Sequence, residues 1–341
     1  MLFVLITVFW TLFEHESTDY RKFYYWFSAI IRFYVALTLI DYGLMKMFNL
    51  QFSTPFYLTK MMQNLGDYYP MELAWTFLGL SDGYNLFIGL AEICGVFLFF
   101  RRTLTLGVLI LLVVVSNVVA INFFYYVPVK VLSSHLLLML LFLITPNLKD
   151  LWCFFVKNKA VKLRQVYKPK LNKNIIKSLI LIKLLLIINE LGYGTYETIK
   201  RKEEWVGSKN YSNLRGLYEV ESFIISKKDS SKLVNIPNWK YLMIDTKTRA
   251  TIKTTDFKDT RYDIEVDSIK KTIILKQQFD TLKYFNLKYQ KIDGLLFLFK
   301  GKTYLNDSVY IKTSRIKYYK EKFELTNKGF DWVNKGPSNR Y

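Results

Sequence analysis

A polytopic α-helical membrane bundle followed by an antiparallel β-barrel or sandwich domain, lipocalin-like, is the fold class that the sequence predicts. Three observations predict it. Long apolar runs are confined to the first 192 of the 341 residues. From Arg215 the pattern changes to period two, rich in β-branched and aromatic residues. Hydrophobic residues make up 51% and aromatic residues 17% of the chain, which suits a protein half in lipid and half in water.

A bilayer-spanning helix needs about 20 mostly apolar residues. Runs that meet this requirement cover 27–48, 84–100, 103–126, 131–147 and 175–192. The opening "MLFVLITVFWTLF" has 13 residues, with neither a basic leading region nor a small-residue cleavage site. It reads as the surviving end of a spanning helix or as an interfacial segment. The stretch "PMELAWTFLGL", 70–80, is also too short to cross, and its Trp75 suits the headgroup level. The resulting division is a transmembrane core over 1–152, a basic cytoplasmic loop over 153–174, a final spanning helix over 175–192 and an extracytoplasmic β domain over 205–341.

Loop charge sets the orientation. Arg21 and Lys22 precede the first full span, Arg101 and Arg102 separate the second and third, and 148–174 carries eight Lys/Arg. The alternate loops carry only Lys60 and Lys130, so the count is twelve against two. The basic loops are expected in the cytoplasm of a bacterial inner-membrane protein, with the β domain on the periplasmic side.

Strands are expected near 215–226, 240–246, 249–255, 260–267, 271–277, 281–289, 294–300, 303–313 and 315–325. Turn signals fall at Asp267-Ser268, Asp293-Gly294, Lys300-Gly301 and Asn306-Asp307. Such a barrel either encloses one small ligand or is filled by its own side chains; filled is the expectation here. Phe330 and Trp332 in the tail read as core or lid packing.

The formal net charge is +20. Residues 200–341 hold 30 Lys/Arg against 17 acids, spread singly along alternating strands rather than packed on a basic helix. That argues against nucleic acid as a partner and for a solvated surface, one suited to anionic headgroups. Cys94 and Cys153 are 59 residues apart and form no C-x-x-C, so they read as small buried hydrophobes. No G-x-S-x-G, P-loop, G-x-G-x-x-G or H-E-x-x-H occurs. His15 and His135 fall on opposite sides of the expected topology and make no haem pair.

The candidate site is a set of polar groups inside the spans: Asp41, Lys46, Glu92, Asn117, Asn122, Lys130, Ser134 and His135. At about 1.5 Å per residue, Asp41 lies roughly 10 Å, Lys46 roughly 3 Å, Glu92 about 12 Å, and Asn122 and His135 about 6 Å from their outer ends. Arg32 is the exception, near the inner face. Intramembrane ionisable groups face a bundle interior or a wet cavity, so one shared cluster open to the outside is expected. It reads as interhelical hydrogen-bonded glue, as a ligand pocket, or as a proton-transfer site. Lys46 and Lys130 are long enough to snorkel to headgroups, whereas Asp41 and Glu92 are not.

The stretches "RFYVALTLIDYGLMKMFNLQF", "GLAEICGVFLFFRRTLTLGVLI" and "NVVAINFFYYVPVKVLSSHLLL" resemble the DoxX-like membrane proteins, in particular a long Bacteroidetes-type form. The resemblance runs from about Ser28 to Trp152, with an echo in "GFDWVNKGPSNRY". It implies a four-helix membrane core, here with extra helices. This chain departs from the pattern at Tyr126, where relatives carry an acid before V-P-V-K, and at Asp331 and Lys335 in the tail.

The function expected is a non-enzymatic membrane component that binds a lipid or a quinone in its bundle, or scaffolds partner membrane proteins. Two alternatives stand beside it. The resemblance implies the membrane subunit of a quinone-linked redox complex. The outline of bundle plus β domain is similar to vitamin K-dependent carboxylases, with Lys130 as the candidate base. Whether the chain is an enzyme stays open at this point.

Overall fold

The computed structural model describes residues 20–52, 58–163, 167, 169, 171–207, 213–226 and 238–316. The opening apolar stretch with His15, the strand expected beyond Ile316, and Phe330, Asp331, Trp332 and Lys335 lie outside the described residues. The helices are α1 (Arg21–Met47), α2 (Leu58–Met62), α3 (Pro70–Gly79), α4 (Asp82–Ile93), α5 (Leu104–Phe124), α6 (Lys130–Ile144), α7 (Leu148–Phe155), α8 (Lys173–Ile188) and α9 (Gly194–Gly207). The strands are β1 (Gly216–Ser226), β2 (Trp239–Ile244), β3 (Arg249–Thr254), β4 (Asp259–Asp267), β5 (Thr272–Gln277), β6 (Asp280–Asp293), β7 (Leu296–Thr303) and β8 (Ser308–Arg315). Contacts divide the chain into two units, Met1–Met47 with Phe87–Glu197, and Phe48–Leu86 with Thr198–Tyr341.

Among the described residues, four helical rods are long and apolar enough to cross a membrane: Arg21–Met47, Asp82–Phe99, Leu104–Phe124 and Lys130–Phe155. α5 is predominantly apolar on its exposed side as well, with Leu106 and Val113 exposed. A helix whose outward face is as oily as its packed face is built for lipid. The fourth rod runs past the expected end at residue 147. Pro146 sits at the start of a 3-10 turn, where its missing N–H costs nothing, and α7 continues from there. The expected final span is different in kind: α8 is a regular helix of 16 residues that passes through a π turn, Asn189–Tyr193, into α9.

The helical unit packs through small residues. A side chain on Gly107 would meet Phe97 Cβ at 2.7 Å, and one on Gly95 would meet the Ala36 carbonyl oxygen at 3.2 Å. α4 tightens into 3-10 turns over Cys94–Phe99. The Leu98 carbonyl accepts from Arg32 Nε at 2.9 Å and Nη2 at 2.6 Å, which satisfies a guanidinium buried in the bundle. Cys94 and Cys153 are free and only half-buried, a correction to the reading of them as small buried hydrophobes. Both lie on spanning rods, where lipid supplies the apolar surroundings that protein would otherwise provide.

The β unit is a closed barrel in the order β1 to β8, every neighbouring pair antiparallel and β8 paired back to β1. Closure leaves no free edge. Its interior is filled by its own side chains, among them Tyr218, Trp239, Leu275, Phe285, Phe297 and Phe299. One expected turn is overturned. Gly301 lies inside β7, paired with Leu287 and Val309, because the Asn286 carbonyl oxygen occupies the space that a Cβ would need. Gly in a strand here marks close backbone approach rather than a loop.

Segment Phe48–Leu86, which hydropathy assigns to the transmembrane core, groups with the barrel. Leu242 and Ile244 point into the barrel, so the alternating Met243 and Asp245 point out. α2 covers that outer face: Leu58 packs on Leu217 and Met243, with Met62 beside it.

Candidate functional site

α1 and α4 approach backbone to backbone. A Cβ on Gly43 would meet the Gly89 carbonyl oxygen at 2.7 Å, and one on Gly89 would meet Met47 Cγ at 2.6 Å. Three residues further along each helix stand Lys46 and Glu92, on the same helical faces. Their side chains join at 2.5 Å, both buried, with the ammonium also 5.5 Å from the centre of the Tyr42 ring. The chain therefore writes G-x-x-K in one helix and G-x-x-E in the other: the glycines admit close approach, and the charges meet where it occurs.

The other expected residues stand as follows. Asp41 is half-buried and within electrostatic reach of Glu190 in the π turn. Asn122 is buried; its carbonyl accepts from Val127 N at 3.0 Å, and its side-chain nitrogen has no hydrogen-bond partner. Asn117 is exposed. The Lys130 ammonium lies 5.6 Å from the Phe123 ring and 5.1 Å from the Tyr126 ring, a cation held by aromatics rather than by an acid. Ser134 is half-buried. His135 is exposed, its Nδ1 2.7 Å from the Val131 carbonyl. Within the set of eight, the direct ion pair is that of Lys46 and Glu92.

Sequence reasoning missed a second polar centre, on the outside of the barrel. Asp245 directly follows β2, and its Oδ1 accepts from Leu58 N at 2.6 Å. Its Oδ2 accepts from Thr59 Oγ1 at 2.7 Å, and that hydroxyl lies 3.0 Å from Thr251 Oγ1. Lys253 donates to the Met62 carbonyl at 2.6 Å. Burial pushes the Asp245 carboxyl up, and the hydrogen bonds from Thr59 and Leu58 oppose that shift. Asp245 thus answers the first free N–H of α2, the service an N-cap renders, from 187 residues away. No local pattern could have announced it.

Among the described residues, no group of three or more His, Cys, Asp or Glu is placed to hold a metal ion. A protein of Bacillus subtilis (strain 168), described as uncharacterized protein YwoB, is 33% identical over 141 residues, which is 41% of this chain and 88% of that protein. No family model matches the chain. No solved structure matches it significantly.

Proposed function

We propose, for a chain that belongs to the family of that Bacillus protein over less than half of its own length, a role carried by the membrane bundle. The protein is a non-enzymatic membrane component that holds the polar end of a lipid or quinone at the bundle's charged centre and presents the barrel on the extracytoplasmic side. The buried Lys46–Glu92 pair carries this reading. A cation and an anion kept together in the outer part of a bundle can exchange part of their mutual attraction for a phosphate or a quinone carbonyl. Lys130, wrapped by Phe123 and Tyr126, is a second cation for the same purpose. The resemblance to DoxX-like proteins supports the quinone-linked alternative, a membrane subunit of a redox complex.

The sidedness rests on parity. The stretch 48–81 separates the first spanning rod from the second, and it is bonded to the barrel through Asp245 and Lys253. Barrel and loop therefore share one side of the membrane. Three long rods lie between them in sequence, so a fourth crossing is required, and α8 is the apolar helix at hand for it. With the basic loops inside, the shared side is the outer one.

Two measurements test this. A fluorescent or phosphatase reporter fused after Tyr341 reads the side directly; activity on the cytosolic side would sink the topology. Mass spectrometry of lipids and quinones that co-purify with the parent and with Glu92→Gln tests the bundle. A bound species lost in the variant is expected, and none in the parent refutes the binding role.

A further inference from the structure

A groove runs along the outside of the barrel, between the segment that carries α2 and strands β3 to β5. One part, about 310 Å³, is bordered by Thr59, Gln63, Asp245, Arg249 and Thr251. It continues past Lys60, Arg261 and Gln278 into a second part of about 710 Å³. Three aromatic rings stand around this second part: Tyr69, Phe257 and Phe279, at 74%, 55% and 95% exposure. Exposed rings cost solubility and solvation unless something uses them.

The two phenylalanines are held there against backbone preference. Phe257 has φ 60° and Phe279 φ 76°, the left-handed region that a bulky side chain rarely enters and that hairpin turns normally give to Gly or Asn. Phe257 is further fixed by the Lys240 ammonium, 4.5 Å from its ring centre. A bulky ring kept at a turn position that Gly would fill without strain points to a use for that ring.

Charge decides what the rings meet. Lys60, Lys258 and Arg261 in the groove are matched by Asp67, Glu72 and Asp259, and Lys60 is bonded to Glu72 at 2.7 Å. The excess of +20 carried by the whole chain is absent here, so the groove does not select polyanions. Gln277 and Gln278 add side-chain amides that donate and accept at once, while the Gln63 amide accepts from Lys60 Nζ at 3.1 Å and donates to the Asp67 carbonyl at 2.7 Å. Flat apolar rings beside amides and paired charges are the chemistry that receives a sugar: C–H faces stack on the rings, and hydroxyl groups bond to planar polar side chains.

We infer that this groove is a binding site for a neutral oligosaccharide, stacked on Tyr69, Phe257 and Phe279 and hydrogen-bonded by Gln277, Gln278 and Arg261. It is separate from the bundle's charged centre, and its test does not depend on which side of the membrane the barrel occupies.

Full-length protein in phosphatidylcholine nanodiscs is titrated calorimetrically with cellotetraose, chitotetraose and maltotetraose. Saturable binding of at least one probe below about 10 mM is expected. Phe279→Gly and the double change Phe257→Gly/Phe279→Gly should weaken it at least about tenfold, while the thermal unfolding temperature holds or rises, since Gly relieves the left-handed backbone. Absence of binding by all three sugars overturns the inference, as does equal binding by the parent and Phe279→Gly. Binding of vesicles containing phosphatidylglycerol that the variants abolish, without any sugar binding, also overturns it and assigns the rings to a membrane surface.

Discussion

Lys46 and Glu92 pair at 2.5 Å one helical turn beyond the place where Gly43 and Gly89 bring two backbones together. Neither charge is affordable alone in so buried a place. Removing one partner should cost about 3–5 kcal/mol, since the other is left buried and uncompensated. Lys46→Met and Glu92→Gln are each expected to lower the unfolding temperature in detergent. Lys46→Met combined with Glu92→Leu should recover most of the loss. A double variant no more stable than the worse single change would contradict a coupled pair.

Gly89→Ala tests the approach itself. The added methyl group would lie 2.7 Å from the Gly43 carbonyl oxygen, and backbone cannot swing aside as a side-chain tip can. A loss of about 1–3 kcal/mol is expected from overpacking. Gly66→Ala is the control, because nothing lies within 4 Å of that position. Equal thermal stability of the two variants would argue against the crossing.

Asp245 is expected to make the stability of the barrel depend on pH. Its carboxyl is raised by burial, so the folded state binds the proton more readily than the unfolded chain. The contribution of this group to stability is therefore fully present below the unfolded pKa and is lost as pH rises through the raised folded value. Asp245→Asn should flatten that part of the profile. Asp245→Ala should destabilise at every pH, by about 1–3 kcal/mol, by leaving Leu58 N unsatisfied. Denaturant midpoints of the full chain measured across the acidic range distinguish the two.

Gly301→Ala should break the barrel wall. The new methyl group would overlap the Asn286 carbonyl oxygen within the β6–β7 ladder. A loss above about 3 kcal/mol, or failure to accumulate folded protein, is expected. Wild-type stability in a chemical denaturation series would show that the strand spacing is wrong.

The barrel was legible because period two survives locally: each of the eight strands overlaps an expected run, and Asp267-Ser268, Asp293-Gly294 and Asn306-Asp307 do turn the chain. Closure was not legible, since β1 and β8 meet only through their edges. Lys300-Gly301 misled because a turn glycine and a crowding glycine look alike in a sequence. The eight intramembrane residues were legible as costly groups, but not how they divide among partners. Lys46 found Glu92, whereas Lys130 found rings and Asp41 lies near Glu190. The pairing depended on the G-x-x spacing, whose meaning appears only when two helices are laid together. α2 was invisible for a different reason. Five residues of weak helix gain their place from Asp245, Leu217 and Met243, which lie more than 150 positions downstream.

That distance has a consequence for biogenesis. The ribosome delivers α2 long before β2 exists, so the loop must wait, unclaimed, while the remaining rods and the strands are made. Release of a shortened chain ending before β8 would strand it permanently, with Leu58 bare to solvent. An excised barrel would suffer the mirror-image injury, its Leu217 and Met243 stripped and Asp245 left without a donor.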